Sequence, residues 1–147
     1  MSLKNRRIFI VEDNVGNLAV ASIYLEQDGA KIKVERRGLK TAQAVLRSLP
    51  IDIILTDLML PNSVSGFDIF DEIRRVPELA AIPVVAVSAA DPDVAMVRAR
   101  QKGFNGYIAK PITPRIVEYV QAVLDGKPIW IADSDMLYSD QSQRGKS

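Results

Sequence analysis

The chain has no cysteine and no histidine. The first absence excludes disulfides, thiolate metal sites and a cysteine nucleophile. The second excludes a Ser-His-Asp triad, imidazole-bound zinc and phosphohistidine on this chain. A metal here must be a hard cation held by oxygen, of which Mg²⁺ is the first candidate. Charge of one sign is also missing. Lys and Arg number 19 against 18 Asp and Glu, so no overall electrostatic footprint for nucleic acid or an anionic membrane exists. No apolar run approaches the ~20 residues of a membrane span. Met1 to Arg7 is not followed by an apolar stretch and is not read as a signal peptide. Lack of disulfides suits a reducing cytoplasm, which is the expected location.

What is present is ordinary globular material, 48% hydrophobic and 25% charged. At 147 residues the chain is long enough for one domain with an apolar core. Short apolar runs alternate five times with amphipathic stretches. Ile8 to Val11 reads as a buried strand, and Val15 to Gln27 as a helix stopped at Gly29. Ile32 and Val34 alternate with charged neighbours as in a half-exposed strand. A helix is predicted from about Leu39 to Leu49, ended by Pro50. Ile51 to Thr56 is the third strand, Phe67, Phe70 and Ile73 mark the third helix, and Pro83 to Val87 is the fourth strand. Asp91-Pro92 opens a helix that closes at Gly103, Gly106 to Ala109 is the fifth strand, and Thr113-Pro114 starts a last helix running to Gly126.

This alternation predicts an α/β fold: a five-stranded parallel sheet with helices on both faces. Residues 6–125 form the expected domain. Residues 126–147 form a C-terminal extension, an apolar patch around Trp130 followed from Asp133 by a tail of disordered composition. Trp130 is expected to pack this extension on the domain; the alternative is an anchor for a homodimer or partner contact. The doublets Arg36-Arg37 and Arg98/Arg100 are read as solvated faces.

The chemistry sits at the ends of strands. Glu12 and Asp13 follow the first, Asp57 the third, Ser88 the fourth and Lys110 the fifth. Open parallel sheets bind ligands beyond the carboxyl ends of strands where strand order reverses, which in the order 2-1-3-4-5 lies between strands one and three. Three acids converging there need a cation. Lys110 and Ser88 beside them supply an ammonium and a hydroxyl for a phosphoryl group's oxygens. A carboxylate in such a site is a competent nucleophile.

Val-Glu-Asp-Asn at 11–14, Leu-Thr-Asp-Leu-Met-Leu-Pro at 55–61, Val-Ser-Ala at 87–89 and Ala-Lys-Pro-Ile at 109–112 resemble the response regulator receiver family, in order and at matching spacing. The resemblance, over roughly residues 6 to 125, implies the CheY-like fold with Asp57 as phosphoacceptor. It implies Mg²⁺ on Glu12, Asp13, Asp57 and the backbone carbonyl of Met59, Ser88 and Lys110 as phosphate-binding residues, Tyr107 as a switch aromatic and a cis Lys110-Pro111 peptide. It further implies a histidine kinase or phosphotransfer protein as donor and a protein target on the surface of the fourth helix, fifth strand and fifth helix. One departure stands out: Asn62 to Ser65 is one residue longer than receivers usually have between Pro61 and Gly66. Two rival functions remain, a Mg²⁺-dependent phosphatase or phosphotransferase with an aspartyl nucleophile, and a phosphate-independent scaffold. The first would want a second acid two residues after Asp57, where Met59 stands.

Overall fold

The computed structural model describes residues 2–133, so the predicted tail beyond Asp133 lies outside the described residues. Six parallel strands form one sheet: β1 (Arg7–Val11), β2 (Lys31–Glu35), β3 (Ile53–Thr56), β4 (Val84–Ser88), β5 (Gly106–Ala109) and β6 (Ile129–Ile131). Their order is β2-β1-β3-β4-β5-β6. Five helices alternate with them: α1 (Val15–Gln27), α2 (Thr41–Ser48), α3 (Gly66–Arg75), α4 (Pro92–Lys102) and α5 (Ile116–Leu124).

Strand periodicity divides the core in two. Phe9, Val11, Ile54, Val84, Ala86 and Tyr107 face one side with residues of α2, α3 and α4. Ile8, Ile10, Ile53, Leu55, Val85, Val87 and Ile108 face the other with α1 and α5. Both faces of the central strands are covered, which is why they read as continuous apolar runs rather than alternations. β2 is the exception. It is an edge strand, and its exposed Lys31 and Lys33 blunt that edge.

The sequence places the helix starts correctly where a side chain caps them. The Asn14 side chain accepts from the Asn17 N–H at 2.8 Å and that of Asp91 from the Asp93 N–H at 3.0 Å. α2 is shorter than predicted. Leu49 is extended (φ −57°, ψ 146°), the conformation imposed on a residue before proline, and the Leu49-Pro50 peptide is cis.

The predicted five strands are corrected to six. The apolar patch after Gly126 forms β6, pairing with β5 in parallel, Tyr107 opposite Trp130. Gly106 makes this possible: a Cβ there would meet the Ile129 carbonyl oxygen at 3.0 Å. Arg98 and Arg100 lie on an exposed face, as expected, and also meet aromatic rings. Their guanidinium carbons lie 4.0 Å from the Phe67 ring centroid and 5.2 Å from that of Trp130.

Candidate functional site

Register brings the strand-end residues together. Val11 pairs with Thr56, so Glu12 and Asp57 leave the sheet side by side. Ser88 pairs with Ala109, and the Lys110 N–H donates to the Ser88 carbonyl at 2.9 Å. The outcome is a buried triad of charges. Lys110 Nζ lies 2.8 Å from Glu12 Oε1 and 2.9 Å from Asp57 Oδ2, with all three side chains nearly closed to solvent. Burial works against the ammonium, but its hydrogen bonds to the Glu12 and Asp57 carboxylates and their charges outweigh it. The Lys110 pKa ends above its ordinary value.

The remaining oxygens are held by backbone. Asp57 Oδ1 accepts from the Met59 N–H at 3.1 Å, and Glu12 Oε2 from the Asn14 N–H at 3.0 Å. The loop bearing Asp57 is clamped to the start of α3. A Cβ on Gly66 would lie 2.3 Å from the Asp57 carbonyl oxygen, so only glycine fits there. The loop between Pro61 and Gly66 is closed by its own backbone contacts. Met59 bridges Ser65 in antiparallel fashion, the Leu60 N–H donates to the Val64 carbonyl, and Asn62 and Ser63 turn the tip at φ near +60°.

Asp13 behaves differently from its neighbour. It is half-exposed, its Oδ1 is 3.9 Å from Arg36 Nη2, and the same nitrogen donates to its carbonyl at 3.0 Å. Among the described residues no three acidic side chains gather tightly enough to hold a metal. The donor chemistry suits a hard cation, since every group is an oxygen.

On the other flank, Ser88 is fully buried and its Oγ accepts from the Ala90 N–H at 3.0 Å. Tyr107 is also fully buried, and its hydroxyl donates to the Ala90 carbonyl at 3.1 Å. Burial raises the Tyr107 pKa; a hydrogen bond with Ser88 lowers it, and the charges of Asp57 and Asp91 raise it again, for a net rise. The Lys110-Pro111 peptide is cis. Two participants escaped the sequence reading, Arg36 and Gly66, whereas Trp130 packs the extension on the domain as expected. A glycine opening a helix was the available signal for Gly66; none in the sequence linked Arg36 to Asp13.

Residues 8–121 match the response regulator receiver domain. The chain belongs to that family. The receiver is 35% identical over 120 residues to the polar-differentiation response regulator DivK of Brucella anthropi, covering 81% of this chain and 96% of that protein. It is 32% identical over 124 residues to the peroxide stress-activated histidine kinase mak1 of Schizosaccharomyces pombe, spanning 81% of this chain but 7% of that protein. Among solved structures, the receiver domain of a sensor histidine kinase from Pseudomonas aeruginosa PAO1, with magnesium in its active-site cleft, superposes with TM-score 0.73 at 26% identity. That match covers 84% of this chain and 99% of the other. Chemotaxis response regulator CheY4 of Vibrio cholerae shares the fold, with TM-score 0.72 at 18% identity over 82% of this chain and 99% of its own. The receiver is thus a phosphoacceptor module of two-component signalling. No helix of the described residues is long and apolar enough to cross a membrane.

Proposed function

We propose that this receiver accepts a phosphoryl group on Asp57 from the phosphohistidine of a kinase or phosphotransfer protein, in the cytoplasm. The buried Lys110 ammonium between Glu12 and Asp57 carries the reading. A carboxylate oxygen of Asp57 attacks phosphorus in line. The P–N bond breaks, its electron pair returns to the donor imidazole, and that nitrogen takes up a proton. Lys110, kept protonated by its acidic partners, meets the negative oxygens of the transferring group. Glu12, Asp13, Asp57 and the Met59 carbonyl would hold Mg²⁺, which when bound would supply further charge neutralisation.

The added charge, about −1.5 to −2, then acts on the neighbouring loop. Ser88 can offer its O–H to a phosphoryl oxygen while its lone pair keeps the Ala90 N–H. Ala90 passes any displacement to Tyr107 through its carbonyl, and Tyr107 lies beside Trp130 in register. Because Tyr107 already sits inside, the switch consists of a shift in this hydrogen-bonded set rather than the entry of an exposed ring. A protein target that reads α4, β5 and α5 would sense it by preferring one form. We take residues 6–125 as the switch and 126–147 as an extension whose strand β6 rides on β5. Slow hydrolysis of the acyl phosphate resets the protein.

The phosphatase or phosphotransferase alternative lacks its second acid, since Met59, two residues after Asp57, is exposed and apolar. The scaffold reading leaves unexplained why charges are buried at the strand ends. Acetyl phosphate with Mg²⁺ should add one phosphoryl group by intact-protein mass spectrometry, and Asp57→Ala should abolish it. Persistence of that addition in Asp57→Ala would remove the assignment.

A further inference from the structure

From residue 36 to residue 51 the chain carries Arg36, Arg37, Lys40 and Arg47 and no acid, in a protein of net charge +1. The fold concentrates these cations instead of dispersing them. The end of β2, the following loop and the exposed side of α2 form a shallow concavity lined by all four, with Leu39 and Ala44 among them. Leu39 is 57% exposed. The one acid at its rim, Glu35, is already engaged: it accepts from the Gly38 N–H at 2.8 Å and from the Thr41 hydroxyl. Among the described residues, Arg37, Lys40 and Arg47 form no ion pair.

Clustered cations around an exposed leucine repel one another and leave apolar surface in water. The complement is a segment bearing carboxylates about an apolar side chain. We propose that this concavity docks a short acidic peptide segment of a partner protein, with an apolar side chain against Leu39 and Ala44 and carboxylates on Arg37, Lys40 and Arg47. Nucleic acid fits less well, because no aromatic ring lines the concavity to stack on bases.

Arg36 belongs to this concavity and to the phosphoacceptor site at once. A peptide carboxylate that takes its guanidinium draws a positive charge away from Asp13, whose Oδ1 it faces at 3.9 Å and whose backbone carbonyl accepts from it, and so eases the approach of a hard cation. Docking and Mg²⁺ binding therefore favour each other by the same factor. This coupling, unlike the docking, rests on the metal-site reading given above.

The test uses the full chain and a fluorescein-labelled peptide alternating glutamate with leucine, followed by anisotropy without Mg²⁺. Charge reversal at Arg37→Glu, Lys40→Glu and Arg47→Glu together should weaken binding at least tenfold, and Leu39→Ser severalfold, with circular dichroism unchanged. An oligothymidylate of equal charge and phosphatidylserine vesicles should bind more weakly than the peptide. Equal peptide affinity in wild type and both variants, or tighter binding of the oligothymidylate or the vesicles, overturns the proposal. By calorimetry, saturating peptide should tighten Mg²⁺ binding severalfold in wild type and not in Arg36→Gln. Docking without that gain removes the coupling alone; absence of any Mg²⁺ binding removes the metal-site reading and leaves docking standing.

Discussion

Two cations hold the two members of the acidic pair, in unlike surroundings. In the crevice between β1, β3 and β5, Lys110 grips Glu12 at 2.8 Å with side chains 11% and 6% exposed. On the β2 flank, Arg36 faces Asp13 at 3.9 Å with side chains 52% and 48% exposed. The first pair sits where water screens little, so its geometry is fixed and its partners cannot be lost cheaply. The second is screened and loosely set, so its partners exchange readily. One site thus combines a rigid half that positions the nucleophile and an adjustable half that admits other charges.

The sharpest way to break this contrast is Lys110→Ala. It leaves two buried carboxylates without their cation and should lower the unfolding free energy by about 3 kcal/mol, measured by urea titration. That loss should change little with added salt. A smaller loss that grows or shrinks strongly with salt would place Lys110 in the exposed class.

Gly66→Ala tests the rigidity of the same half from the backbone. With a Cβ 2.3 Å from the Asp57 carbonyl, the loop must shift, at a cost of about 2 kcal/mol, and phosphoryl uptake should slow. Uptake at the wild-type rate would show that the clamp does not position Asp57.

Alkaline pH probes the crevice's protonated groups. Both Lys110 and Tyr107 hold their protons more tightly when folded. Their contribution is complete below the unfolded values, about 10.4 and 10, and is lost as pH rises through the folded ones. Urea-derived stability should hold to about pH 10 and then fall. The fall should be shallower in Tyr107→Phe, which also forfeits about 1 kcal/mol with its bond to Ala90. An identical alkaline fall in that variant would contradict the assignment.

The flank should respond least. Arg36→Gln is expected to change stability by under ~0.5 kcal/mol at moderate salt. A loss as large as that of Lys110→Ala would erase the distinction between the two halves.

Much of this was legible beforehand. Glu12, Asp57, Ser88 and Lys110, each ending an apolar run, pointed to the crevice, while the sheet order came with the family resemblance. Arg36 was not legible, because its link to Asp13 joins segments 23 residues apart across the β2 edge. Nor was β6, since three residues with one tryptophan give no periodicity to count.

The amino-acid order determined which elements form and which end of each strand carries charge, because hydrophobic period and capping residues act within a few positions. Tertiary structure decided which charges pair. Ion pairing depends on distance and burial, and both arise only when parallel register sets Val11 beside Thr56 and Ser88 beside Ala109. For that reason two adjacent acids, indistinguishable in the sequence, end with different cations and different access to water.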